Sequence, residues 1–546
     1  MPLNVRAAGL RRVVTAGAVV LILLGVIARF TDLDRHFYFH DESATSLALS
    51  GHQSADVGRA LADGREITAA QVGKFEHTGE RGVADTVHSL AINDPQHPPL
   101  FFGLARLWAY VAGSSITSLR AVAALFGLLA LAACGWLAYE LFGSRQTTLI
   151  AVALLAISPF QILYAKEARE YSLWVAAVAA SSAALLVALR SGSLRAWVLY
   201  SLTVAAALYT FPNTVLVVLG HALFLFFQAR SRPVFKGFAA AVGGAFVLFL
   251  PWIGEMVLQR GALRAGTDWT SESIPFSTLL HSWLVVFGLG VADKKEGPTS
   301  VGTLPGLVFG AVLVVEIAAL VVLRLRGPRA AWLLVACLIA SAAFPLMLAD
   351  VATGGIRSVN PRFLAPVYLA LTIALAFMIS QGLSAHRART RAITAAVALG
   401  TIAAAAASYA ESARAKVWWN QDDVATAENL AVTEAVNRMQ RPLLVSTSGS
   451  TLLQMSHYLR PETRIRIVLD GRAPPLGGGF SDIVFYGSPA NGAAAARLTA
   501  LLDDVRRRHH AKLQPVSLDL PCCGLGIRPI PRQFWRLIPE DRKRRP

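Results

Sequence analysis

Eleven apolar runs, each close to the ~20 residues that a helix needs to span a bilayer, follow one another through the first 410 positions of this 546-residue chain. They lie near 11–30, 116–141, 147–164, 172–190, 195–211, 213–228, 236–254, 303–323, 330–349, 363–383 and 392–410. Hydrocarbon offers no water to bond with, so backbone groups must pair inside each run, and each run is expected as a helix. Two shorter stretches, 98–112 and 276–290, are expected to lie flat or re-enter; counting them as spans gives thirteen. Only 16% of residues are charged, against about 25% in soluble domains. The expected fold is a polytopic α-helical membrane protein of about 11–13 transmembrane helices with a small C-terminal α/β domain.

The formal net charge of +17 is distributed in a way that sets the topology. Basic residues gather in short links: Arg190 to Arg195, Arg230 to Lys236, Arg324 to Arg329 and His386 to Arg391. The positive-inside rule places these links in the cytoplasm. Arg6, Arg11 and Arg12 put the N-terminus there too, and no small-x-small cleavage site follows the first run, so it is expected to remain as an uncleaved helix. Eleven spans satisfy every link, whereas thirteen would export Arg190, Arg195, Arg230, Arg232 and Lys236. Either odd count leaves the C-terminus outside a plasma (inner) membrane. The same distribution accounts for the charge without nucleic acid, since no basic stripe with interleaved aromatics is present. Four cysteines give no disulfide framework. Cys134 and Cys337 sit in apolar segments as packing residues. Cys522 and Cys523 are adjacent, and neighbours rarely form an unstrained bridge. No metal-ligand spacing occurs.

Two domains are expected: 1–410 as the transmembrane part, with 31–97 as its first exported loop, and 411–546 as an extracytoplasmic α/β domain. The latter shows strand-like runs at Leu443-Leu444-Val445, Ile465 to Leu469 and Ile483 to Tyr486, a helix-like stretch from Ala493 to Arg508, and Gly- and Pro-rich turns between Pro474 and Gly479. Arg542 to Arg545 form a basic tail.

On this topology four polar segments share the exported face. His40-Asp41-Glu42 follows the first helix closely and sits among Phe37, Tyr38 and Phe39. Burial raises a carboxylate pKa towards neutrality, which suits a general base; a helix start favoured by its dipole would select the same residues. Asp94 and His97 precede Pro98-Pro99, a rigid helix entry. Lys166, Glu167, Arg169 and Glu170 crowd between two apolar runs, with Tyr171 next. Charges at such a depth are costly unless paired or functional; they fit either an internal network or a guanidinium holding a phosphate. Arg362, in Asn360-Pro361-Arg362, is a further cation on this face, fit to snorkel or to neutralise a lipid phosphate. Carboxylates and cations together suit a reaction in which a base deprotonates an acceptor hydroxyl and cations stabilise a departing phosphate.

With these residues the chain resembles the GT-C membrane glycosyltransferases of the family 39, protein-mannosyltransferase-like group. "HDE" at 40–42 is similar to their first-loop acidic motif, "HPPLFFGLARLW" at 97–108 to their HPPL-type helix start, "SPFQILYAKEAREYSL" at 158–173 to their central signature, and "PRFLAPVYLAL" at 361–371 to their late element. The resemblance covers most of 11–410, in order and spacing. It implies inverting transfer of a sugar from a polyprenyl-phosphate donor to an extracytoplasmic glycan, lipid or protein. It makes Asp41 the base with Glu42 beside it, and gives Lys166, Arg169, Arg362 and His97 to the donor phosphate, supported by Asp94, Glu167 and Tyr171. Some members use a divalent metal, Mg or Mn, and others none; no ligand set here chooses. Lys166 stands where Gln is commoner, and Phe363 where Tyr is. The alternatives are a transporter or flippase, which often shows internal repeats that this chain lacks, and a polymerase or ligase of lipid-linked glycans.

Overall fold

The computed structural model describes residues 2–61, 64–79, 81–228, 232–295, 303–421, 423–476, 479–487, 492–509, 512–518 and 534–538. Arg230, Cys522-Cys523 and the tail Arg542 to Arg545 lie outside them. The chain forms two compact units, one of residues 1–33 and 90–414, the other of 34–89 and 415–546.

The first unit is helical. Among the described residues, eight helices are long and apolar enough to cross a membrane: Gly9–Phe30, Ile116–Phe142, Tyr171–Ser191, Arg232–Leu258, Gly306–Arg326, Arg329–Thr353, Pro361–Leu383 and Ala388–Ser412. The chain is therefore a multi-span membrane protein. The number is smaller than the sequence suggests, for local reasons. The expected span 147–164 is two helices, Arg145–Ile157 and Pro159–Ala165, bent by 60°, and counts as a ninth span only if taken as one. Pro159 has no N–H to continue the ladder. The expected spans 195–211 and 213–228 are the helices Leu194–Leu208 and Thr214–Gln228, of 15 residues each, separated by a break around Pro212. At 1.5 Å per residue each reaches only about 22 Å, short of a ~30 Å hydrocarbon core. The stretches 98–112 and 276–290 are helices of 13 residues, Leu100–Ala112 and Phe276–Gly288. Cys134 and Cys337 are buried, as packing residues should be.

A buried arginine braces the bend. Arg29 is 1% exposed. Its Nη1 donates to the carbonyls of Gly25 and Ala156, both at 2.6 Å, and its Nη2 donates to Leu155 at 3.1 Å. Leu155 and Ala156 end the helix before Ser158-Pro159, where carbonyls have no partner further along the helix. The approach is close: a Cβ on Gly25 would stand 2.3 Å from the Ala156 oxygen. Arg29→Met is expected to leave those carbonyls without a donor and to destabilise the protein by about 1–3 kcal/mol. The reading is a lower melting temperature in detergent, partly restored by Arg29→Lys; an unchanged value would mean that another group serves them.

The second unit is a sheet covered on both faces. Its six described strands are β1 (Ile67–Thr68), β2 (Pro442–Ser446), β3 (Arg464–Ile467), β4 (Asp482–Tyr486), β5 (Lys512–Pro515) and β6 (Phe534–Ile538), in the order β1-β3-β2-β4-β6-β5. β2 runs parallel to both β3 and β4, and the outer pairs are antiparallel. Along β2, Leu444 packs with Val432, Leu452 and Ile465 on one face, while Leu443 and Val445 pack with Leu498, Leu501 and Val505 on the other. A strand buried on both faces reads as a continuous apolar run, which is why 443–445 stood out. Segment 34–89 is built into this unit. Ile67 of β1 pairs with Ile465. Phe37 receives a hydrogen bond from Gln421 Nε2 (2.8 Å), donates its N–H to Lys416 O (2.8 Å) and stacks on Tyr458 at 4.4 Å.

Candidate active site

In the first unit the charged run of 166–170 is a tight turn. The helix Pro159–Ala165 ends at Lys166, and Glu170 is the N-cap of Tyr171–Ser191. The turn is closed by the Arg169 N–H donating to Glu167 O at 2.6 Å. It buries Glu167, Arg169 and Glu170, at 3%, 3% and 0% exposure, and leaves Lys166 half-buried.

Arg169 and Glu170 compensate each other. Glu170 Oε2 lies 3.4 Å from Arg169 Nε, and Glu170 Oε1 lies 2.9 Å from His97 Nδ1. With Nδ1–H given to the carboxylate, His97 presents the lone pair of Nε2, and Arg169 Nη2 donates to it at 2.9 Å. Burial pushes the Glu170 carboxyl up, but Arg169 and His97 outweigh it and hold the pKa at about 2. The Arg169 guanidinium also lies 5.8 Å from the Phe102 ring centre. Asp94 shapes the approach to His97: its carbonyl accepts the His97 N–H at 2.9 Å, and its Oδ1 accepts from Gln96 Nε2 at 3.1 Å.

Arg362 belongs to the same neighbourhood through Tyr171. Its Nη1 donates to Tyr171 Oη at 2.9 Å and its Nε to Asn360 Oδ1 at 3.2 Å. The guanidinium lies over the rings of Trp269 and Tyr171, at 5.1 and 5.6 Å. The link ahead of it is anchored by buried Asp350, which accepts from Ser358 N, Ser358 Oγ and Arg357 Nη1 at 2.6, 2.7 and 3.1 Å. In the first unit the structure joins His97 with Asp94, Arg169 and Glu170 and joins Tyr171 with Arg362, while Lys166 and Glu167 lie in the same turn as Arg169. Glu170, Asn360 and Trp269 join the expected residues. Glu170 stood inside the charged run and was the only acid there directly abutting a span, which was its signal; Trp269 carried none.

Asp41 and Glu42 lie in the second unit, in the first turn of the helix His40–Leu49. Asp41 Oδ1 is 3.1 Å from His40 Nε2, with the Asp41 side chain 17% exposed, whereas Glu42 is fully buried. One residue on, Ser43 Oγ donates to Glu76 Oε1, and the other Glu76 oxygen lies 2.5 Å from His457 Nε2. Positions 76 and 457 are too far apart in the chain for their pairing to be read from sequence. A cavity of about 280 Å³ opens beside the helix. His40, Ser43 and Ser450 give it polar groups, and Leu47, Leu453 and Ile467 an apolar wall. Among the described residues no group of three or more His, Cys, Asp or Glu side chains is placed to hold a metal ion.

Residues 96–254 match the family described as dolichyl-phosphate-mannose-protein mannosyltransferase. That span contains His97, Lys166, Arg169 and Glu170. No curated protein matches the sequence. Two solved structures of ArnT from Cupriavidus metallidurans share the fold, each with a TM-score of 0.53. The apo form is 14% identical, covering 86% of this chain and 93% of that one. The form bound to undecaprenyl phosphate is 12% identical, covering 96% and 98%. The chain therefore has the GT-C fold that it shares with these structures, and residues 96–254 are similar to the mannosyltransferase family model.

Proposed function

We propose that the protein is an inverting glycosyltransferase of the plasma membrane, moving a sugar from a polyprenyl-phosphate donor to an extracytoplasmic acceptor, with its N-terminus cytoplasmic and its 411–546 region outside. The observation that supports this best is the cluster His97–Arg169–Glu170 with Arg362 reached through Tyr171, lying largely within the segment that matches the glycosyltransferase family. The donor class follows the lipid held by one structural neighbour, undecaprenyl phosphate.

The roles divide by charge balance. Arg169 is already neutralised by Glu170, so it braces the turn and adds directed N–H groups rather than net charge. Among its contacts, Arg362 donates to the oxygens of Asn360 and Tyr171, and a phosphate oxygen is a stronger acceptor than either. Arg362, with Lys166, is the lead ligand for the leaving phosphate, and His97 and Arg169 support it. Asp41 takes the proton of the acceptor hydroxyl, and Glu42 sits beside it in the same turn. The cavity beside His40 suits an acceptor with an apolar portion.

The test is binding of the carrier. Undecaprenyl phosphate added to the purified protein should raise its melting temperature, with stabilisation of about 2.7 kcal/mol at a hundred times Kd. Undecaprenol, which lacks the phosphate, should not. Arg362→Ala should weaken the phosphate-dependent part by roughly 10–100-fold, the worth of a charged hydrogen bond. Equal stabilisation by the alcohol and the phosphate would defeat the proposal.

A further inference from the structure

Away from these residues, the membrane part of the first unit encloses a second polar site. Glu316 lies inside the apolar span Gly306–Arg326, where an ionisable group is costly and ordinarily has a purpose. It is 3% exposed, and its Oε2 is buried without a hydrogen-bond partner. It lines a cavity of about 20 Å³, room for one water-sized occupant. Ser158, Gly290, Tyr368, Thr372 and Thr401 also line it.

The hydroxyls there have a shared property. Each carries a single proton, and each has given it to a backbone carbonyl. Ser158 Oγ donates to Gly290 O at 2.8 Å, and Tyr368 Oη to Val286 O at 2.8 Å. Thr372 Oγ1 donates to Tyr368 O at 2.8 Å, and Thr401 Oγ1 to Val397 O at 3.0 Å. What these groups turn to the cavity is lone pairs. A carboxylate surrounded by lone pairs has no donor to meet it, so the cavity calls for a positive guest.

We propose that this cavity is a binding site for one monovalent alkali cation of sodium's size, held by the Glu316 carboxylate and the hydroxyl oxygens of Ser158, Tyr368, Thr372 and Thr401. A single positive charge balances a single carboxylate, whereas a divalent ion would leave net charge in the hydrocarbon. Mg²⁺ also gives up its water shell reluctantly, and this volume leaves no room for a shell. Oxygen ligands drawn from a helix break are the way membrane proteins coordinate such ions; here the break is Ser158-Pro159. The ion would fasten four segments together: the bent helix pair and the spans carrying Glu316, Tyr368 with Thr372, and Thr401. Two of these lead directly to the 166–170 turn and to Arg362. The inference stands apart from the proposed sugar transfer and needs no activity to test it.

The experiment is a melting series of the full-length protein in detergent, titrated with NaCl while choline chloride holds ionic strength constant. A saturable rise with NaCl is expected, absent in choline. Glu316→Gln, which removes the charge at constant size, should abolish the salt-specific rise and melt in choline at least as high as the wild type. Thr401→Val, which removes one lone-pair ligand, should weaken the apparent sodium affinity about tenfold and tests the site even if Glu316→Gln does not fold. Identical melting of the wild type in NaCl and choline would overturn the proposal, because the carboxyl would then be held neutral by a proton.

Discussion

Asp41→Asn should lower sugar transfer by about 10²- to 10⁴-fold, the usual worth of a positioned general base, while leaving the protein folded. Two physical readings compete for this residue. As an acid in the first turn of His40–Leu49, it gains about 0.3–1 kcal/mol from the helix dipole. As a base, it must be reachable by an acceptor hydroxyl. Its side chain keeps 17% exposure and pairs with His40, which itself lines the 280 Å³ cavity; fully buried Glu42 has no such access. Asparagine preserves shape and hydrogen bonding but accepts no proton. The dipole reading therefore predicts a slightly lower melting temperature and normal turnover, and the base reading predicts the reverse. The assay is transfer from a polyprenyl-phosphate sugar in purified membranes, normalised to folded protein. Undiminished transfer would remove Asp41 from the chemistry.

The apolar runs made the membrane architecture legible, because lipid exposure imposes composition residue by residue. Their ends were less legible. Nothing in the hydropathy of 147–164 marks the 60° bend, although Ser158-Pro159 names its place. The strands β2 and β4 were visible as apolar runs because both faces of the sheet are covered there, and β3 as an alternating run whose Ile465 and Ile467 pack on one face. The two-residue β1 was not, since its strand character exists only through its pairing with β3. The site shows the same division. Arg169 and Glu170 are neighbours, so their ion pair could be anticipated. The contact of His97 with Glu170 spans 73 positions, and that of Arg362 with Tyr171 spans 191. Such contacts are products of helix packing, and a periodicity or a motif carries no record of them.

Glu170→Gln should be the most destabilising single change in the cluster. The substitution takes from Arg169, 3% exposed, the Glu170 counter-charge 3.4 Å away in a desolvated turn, and breaking a buried pair costs about 3–5 kcal/mol. It also frees His97 from the carboxylate that fixes its tautomer and so weakens the Nε2 contact to Arg169. The pH dependence gives an independent check on the same energy. The folded-state pKa is held down at about 2 from an ordinary 4.5, so the carboxylate's stabilisation is complete above pH ~4.5 and is lost as pH falls through about 2. The depression corresponds to about 3 kcal/mol, in line with the cost expected of the substitution. Wild type and Glu170→Gln should therefore differ most at neutral pH and converge as the acid limit is approached. Melting temperatures of the two proteins across that range measure the difference. A constant gap down to pH ~2 would mean that Glu170 acts by packing rather than by charge, and the turn would then owe its shape to the Arg169 N–H bond to Glu167 and to the N-cap position alone.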